Sequence, residues 1–199
     1  TDLHAASVLK TRFDAKLQEW AKAGIDPDAV TSEAWALRTL LNRILPLNSQ
    51  ESPVMVVHVT SERTIAYVHW RGLPILARAL HWGGKALTQA VSATYGLDLF
   101  QAEKAKLESG FVLSDEHRAD ASEEQVKFSA ALEQSLHGLI WELRQIALTC
   151  KNLTYKSIET IYLSGNGSLL PGLPQYIQQE LNTPTQLLKP LSKINPAGV

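Results

Sequence analysis

Along the first 45 residues apolar side chains recur every three or four positions, the period of one helix face. Leu9, Phe13, Leu17, Trp20 and Ala21 mark a first helix that Gly24 ends, with Asp26-Pro27-Asp28 as the loop that follows. A second helix is expected from about Thr31 or Ser32 to Leu45. Ser32 is its candidate N-cap, and Trp35, Leu37, Leu40, Leu41 and Ile44 form its apolar side. Residues 2–7 read as a short strand, and the proline-bounded stretch 46–53 as a linker. From Val54 the period becomes that of strands. Residues 54–59 and 64–69 flank the short turn Ser61-Glu62-Arg63 as a hairpin, and Arg71-Gly72 leads into a third strand over 75–82.

Helical spacing then returns. One helix opens at Gly83-Gly84 and closes at Gly96, and a second, Glu/Lys-rich one covers 100–109. A polar loop fills 110–121, and a long helix is expected over 123–151. Its Leu132, Leu136, Leu139, Leu143, Ile146 and Cys150 alternate steps of four and three, which is a single buried seam. A strand over 158–164 leads into the turn Gly165-Asn166-Gly167-Ser168. A short helix over 173–181 and a strand over 185–188 complete the pattern. The whole is a mixed α/β chain built around an antiparallel meander.

Composition narrows the class. The 199 residues are 45% apolar and 20% charged, with a formal net charge of -1, so no polyanionic partner such as nucleic acid is implied. The single cysteine, Cys150, cannot form an intrachain disulfide, and its apolar helical setting suits a reducing compartment. No stretch approaches the roughly 18 apolar residues of a membrane span. The opening Thr1-Asp2-Leu3-His4 lacks the basic region of a signal peptide and an initiating Met, and is expected to be a cut through a longer protein.

Few residues advertise chemistry. Gly165-Asn166-Gly167-Ser168 after a strand could admit a nucleotide to free backbone N–H groups, but it is not a P-loop, and composition alone favours a tight turn. Gly83-Gly84 poses the same choice, with close helix–sheet packing the better reading. The six histidines show no metal-ligand spacing, and His58 and His69 are expected as half-buried or surface imidazoles in the hairpin. No G-x-S-x-G is present for serine catalysis. Trp20, Trp35 and Trp141 are expected in the core, and Trp70 and Trp82 as exposed contact candidates. Glu103, Lys104, Lys106 and Glu108 read as a solvated helix face.

Three segments in order resemble the PilM family of type IV pilus assembly proteins. They are the Ala-Gly-Ile-Asp-Pro-Asp-Ala-Val and Trp-Ala-Leu-Arg stretches within 8–45, the run from Ala79 to Thr88 followed by Ala102-Glu103-Lys104-Ala105-Lys106, and Leu163-Ser164-Gly165-Asn166-Gly167-Ser168-Leu169-Leu170-Pro171-Gly172-Leu173. The resemblance implies an actin-like (ribonuclease H-like) α/β fold, shared with the secretion protein GspL and the division protein FtsA. Residues 1–45 would be a remnant of the family's extra subdomain plus a linking helix that returns to the first large domain. Residues 54–199 would be the second actin-like domain, with 54–82 and 158–199 as its sheet and 83–151 as a helical cap. The first large domain would be largely missing.

The same resemblance implies a non-catalytic adaptor at the cytoplasmic face of a bacterial inner membrane, serving a type IV pilus or a type II secretion system. Its partners would be a PilN-like or GspM-type bitopic membrane protein and the assembly ATPase, with self-association a further expectation where a missing domain leaves faces uncovered. The alternatives are an ATP-binding ATPase or kinase of the same superfamily, and a plain interaction domain whose glycine turns are structural. A nucleotide site would use Gly165, Asn166, Gly167 and Ser168 at the adenosine and Thr60, Thr64, Gly83 and Gly84 towards the phosphates. ATP-binding members carry an Asp-x-Gly turn in the hairpin where this chain reads His58-Val59-Thr60. The expectation is therefore a vestigial site, with no cofactor or weakly held ATP and no hydrolysis, and with no metal.

Overall fold

In a computed structural model, residues 8–45 and 51–189 are described. The expected strand over 2–7, most of the linker and the segment beyond 189 lie outside them. Five strands form one sheet in the order β3-β2-β1-β4-β5. They are β1 (Val54–Val59), β2 (Thr64–Trp70), β3 (Leu73–Leu80), β4 (Thr160–Ser164) and β5 (Thr185–Leu187). The meander β1-β2-β3 is antiparallel, while β4 and β5 run parallel to β1. Arg71 and Gly72 form the two-residue β2–β3 turn, both at positive φ (50° and 80°), the backbone that matches strand twist.

β1 is an almost unbroken apolar run because both faces of the sheet are covered. On one face Met55, Val57 and Val59 join Ala66, Val68, Ile161 and Leu163 in the main core. That core is closed by α3 (Gly84–Tyr95), α6 (Glu123–Thr154) and α7 (Leu173–Leu181). The predicted seam of the long helix, Leu132 to Cys150, is buried throughout, and Ser122 opens that helix in a capping box with Gln125. The helix runs three residues past its expected end. Short α5 (Asp115–Arg118) occupies part of what reads as loop, and α4 (Leu99–Ser109) packs on α3.

On the other face Leu37, Leu41 and Ile44 of α2 (Glu33–Ile44) meet Val56 and Tyr67. α2, expected from the sequence as the linking helix of residues 1–45, packs on this sheet. Ser32 caps it by accepting from the Trp35 N–H. α1 (Lys10–Lys22) buries none of its residues. Three tryptophan expectations are corrected. Trp35 is 45% exposed with the Arg38 guanidinium over its ring, Trp141 is 58% exposed, and Trp20 is only half-buried. Size placed these rings on apolar seams, but their helices turn them outward. Trp82 is also not a free surface ring: it packs on the core rim and its Nε1 donates to the Ser135 carbonyl. His69 is fully buried rather than half-buried, beneath α2 beside Tyr67.

Candidate functional site

The parallel strands β1 and β4 end side by side at His58 and Ser164, and the crevice outside their carboxyl ends is where open α/β sheets receive ligands. A cleft of about 830 Å³ opens there. The β1–β2 hairpin supplies His58, Thr60 and Ser61. The loop after β4 supplies Gly165, Asn166, Gly167 and Leu169, and helices α3 and α4 supply Gly84, Glu103, Lys106 and Leu107.

The glycine loop is shaped by its neighbour Val59. Gly165 sits at φ 82°, and a Cβ there would meet the Val59 carbonyl oxygen at 2.3 Å; a Cβ on Gly167 would meet Val59 Cγ1 at 2.4 Å. Ser168 is buried and turns its hydroxyl back to the Gly165 carbonyl (2.6 Å), bracing a single turn of 3-10 helix over Asn166–Leu169. Asn166 does not use the left-handed conformation that its side chain tolerates: it simply starts that turn. Of this predicted quartet, Gly165, Asn166 and Gly167 line the cleft and Ser168 does not.

The hairpin candidates also divide. Thr60 lines the cleft, but its hydroxyl donates to the Arg63 carbonyl at 2.8 Å, closing the turn. Thr64 is corrected: it is wholly buried and donates to the Trp82 carbonyl at 2.8 Å, away from the cleft. Gly83 is a packing position, since a Cβ would lie 2.7 Å from the carbonyl oxygens of both Thr60 and Ser61. That contact lets those two carbonyls accept from the N–H groups of Gly84 and Lys85. The N-terminus of α3 is thereby capped by the hairpin, and only Gly84 reaches the cleft.

The residues that sequence reasoning missed are Glu103 and Lys106. The Lys106 side chain is 11% exposed. Its ammonium donates to Glu103 Oε2 at 2.6 Å, Thr88 Oγ1 at 2.9 Å and the Gly84 carbonyl at 3.1 Å. The Thr88 hydroxyl in turn donates to Glu103. Burial opposes charge on Glu103, and the bonds from Lys106 and Thr88 outweigh it, so its carboxyl is held below the ordinary carboxylate range. Both described donors to Glu103, Lys106 and Thr88, converge on Oε2, which leaves Oε1 able to accept from a diol such as a ribose. Leu107 and Leu169, 74% and 66% exposed, add apolar walls suited to a flat ring. The one signal for this pair was its spacing of three, which on a helix places both side chains on one face.

An adenosine-sized group therefore fits. A magnesium ion at the phosphate end does not. Among the described residues no three His, Cys, Asp or Glu side chains gather as a metal site, and the only carboxylate lining the cleft is Glu103, already committed to Lys106. The β1 end presents His58 instead, whose Nδ1 lies 2.9 Å from Ser164 Oγ. Magnesium prefers oxygen ligands to imidazole.

The sheet order, the helices on its two faces and a cleft at the carboxyl ends define an actin-like α/β fold. A chain of a PilM-PilN type IV pilus biogenesis complex superposes with TM-score 0.76 at 23% identity, covering 94% of this chain and 51% of that one. The ethanolamine utilization protein EutJ from Carboxydothermus hydrogenoformans gives TM-score 0.66 at 15% identity, with 90% and 57% covered. MreB5 of Spiroplasma citri bound to ADP gives 0.67 at 12% identity, with 93% and 62% covered. The chain thus spans between 51% and 62% of the length of these three structures. Residues 2–198 match the type IV pilus assembly protein PilM family, and the chain belongs to it.

Proposed function

We propose that this chain is part of a non-catalytic adaptor in the assembly platform of a type IV pilus, joining a bitopic membrane protein of the PilN kind to the assembly ATPase at the cytoplasmic face. The observation that carries the reading is the family match over 2–198, together with the likeness to a chain of a PilM-PilN complex. No helix among the described residues is long and apolar enough to cross a membrane, so attachment through a membrane-anchored partner suits them. The pilus assignment is favoured over type II secretion because the matching family is a pilus one. The absence of catalysis is argued from the donor set. Among the described residues the cleft has a single carboxylate, Glu103, and it is paired with Lys106 at the helix side rather than set at the hairpin where a metal or an attacking water would be positioned. The deciding experiment is a pull-down of the full-length protein with a PilN-like cytoplasmic tail peptide and, separately, with the assembly ATPase. Capture of either supports the adaptor, and binding to neither rejects it.

A second reading, nucleotide binding, is favoured by one specific arrangement: the hydrogen-bonded Glu103–Lys106–Thr88 group that lies beside the glycine loop. Titration of ATP into the full-length protein, with Gly167→Trp as the blocked control, tests it. Micromolar binding that the control abolishes supports a nucleotide-sensing adaptor, and no heat at high protein concentration removes the nucleotide from the account.

A further inference from the structure

The phosphate end of the cleft differs in charge type from a metal-nucleotide site, and that difference has a functional reading. It rests on the nucleotide reading of the cleft and goes beyond it. The two N–H groups at the start of α3 are spent on the Thr60 and Ser61 carbonyls, and the Thr60 hydroxyl is spent on the Arg63 carbonyl. Glu62, the nearest carboxylate in the hairpin, is paired with Lys85, and Arg63 with Glu33 at 2.7 Å. Among the described side chains, the hairpin side of the cleft still offers the His58 imidazole and the Ser61 hydroxyl. The Ser164 hydroxyl lies 2.9 Å from His58 Nδ1; in the tautomer in which it donates to that nitrogen, the ring proton sits on Nε2 and the imidazole is a donor towards the cleft rather than a metal ligand.

We propose that this half of the cleft takes the phosphate end of an adenine nucleotide directly, without a divalent cation, through the His58 imidazole and the Ser61 hydroxyl. A carboxylate at the end of β1 would repel phosphate unless a cation stood between them. An imidazole donor removes both the repulsion and the need for the ion. The His58–Ser164 contact spans the β1–β4 pair, so the ring is held by the sheet itself rather than by a mobile loop.

The test is calorimetric titration of ADP, ATP and adenosine into the full-length protein, each with excess magnesium and again with EDTA. The expected result is ATP and ADP affinity that agrees within about twofold between the two conditions. His58→Ala is expected to weaken ADP and ATP at least tenfold while leaving adenosine affinity and the melting temperature nearly unchanged. His58→Asp should make the residual nucleotide affinity magnesium-dependent. Should His58→Ala fail to fold, Ser164→Ala carries the test, since loss of the tautomer-setting hydroxyl should weaken ADP but not adenosine. Nucleotide binding that requires magnesium in the unaltered protein overturns the proposal while leaving the nucleotide reading intact. Equal losses for adenosine and ADP, or none for either, overturn it also. Absence of any ATP binding overturns both, and leaves the adaptor reading to its own pull-down.

Discussion

Lys106 and Glu103, one helical turn apart on α4, meet at 2.6 Å with the lysine side chain almost fully withdrawn from water. Two further acceptors, Thr88 Oγ1 and the Gly84 carbonyl, complete its three donors, so the ammonium ties α4 to the first turns of α3. Removing Lys106 takes the ammonium from the buried Thr88 hydroxyl and the half-exposed Glu103 carboxylate, a loss of about 1–3 kcal/mol. Lys106→Met is expected to lower stability by roughly that amount in urea titrations and to remove any affinity for adenosine. Lys106→Arg should not rescue it, because a planar fork cannot reproduce three convergent bonds from one nitrogen. An unchanged urea midpoint in Lys106→Met would show that the pair is an ordinary surface contact.

Gly165→Ala and Gly24→Ala separate packing from backbone strain. Both glycines hold positive φ, 82° and 74°, but a Cβ on Gly24 meets nothing within 4 Å, whereas one on Gly165 strikes the Val59 carbonyl at 2.3 Å. Gly24→Ala is expected to cost about 1 kcal/mol from conformation alone. Gly165→Ala must also displace β1 from the loop, and should cost several times as much and distort the cleft. Thermal unfolding of the two variants side by side checks the ordering. Equal losses would mean that the β1–loop contact yields freely.

Much of this architecture is legible in the pattern of side chains. The seam from Leu132 to Cys150 reads correctly because each member is apolar and the steps alternate. The hairpin reads correctly because β1 and β2 are β-branched runs around a polar turn. The cleft is less legible for a physical reason. Glu103, Lys104, Lys106 and Glu108 have the same letters as a solvated face, and only the approach of α3 turns Lys106 inward. The family resemblance implies Thr64 as a phosphate ligand, yet a carbonyl 18 residues on, that of Trp82, claims its hydroxyl. His69 and Trp141 fail in opposite directions. A polar ring lies under α2 and an apolar one faces water, because burial is set by the partner element and not by the residue.

Neighbours on α6 give a direct test of that point. Leu143 is fully buried in the main core, while Trp141, two residues earlier, is 58% exposed. Leu143→Ala removes buried methyl groups and leaves a void, at an expected cost of about 2–5 kcal/mol. Trp141→Ala, although it deletes a larger side chain, should change stability by only about 0.5 kcal/mol. Chemical denaturation of both variants reads the difference. A large loss for Trp141→Ala would instead mark that ring as covered by another molecule in solution.

The buried imidazole of His69 predicts an acid-sensitive fold. Burial, reinforced by the nearby Arg38 guanidinium of α2, lowers its pKa from 6.5 to about 4. Its Nδ1 lies 3.3 Å from the Tyr67 hydroxyl, and its Nε2 finds no hydrogen-bond partner among the described residues. The folded chain therefore keeps this ring neutral where the unfolded chain would protonate it. The resulting stability is fully present above about pH 6.5 and is lost as the pH falls towards 4. A shift of this size corresponds to roughly 3 kcal/mol across that window. His69→Phe keeps a ring beneath α2 without a titrating nitrogen, and its stability should fall less steeply between pH 6.5 and 4 than that of the unaltered chain. Urea midpoints at several pH values for both proteins provide the comparison. Parallel profiles would place the acid sensitivity in other groups and not beneath α2.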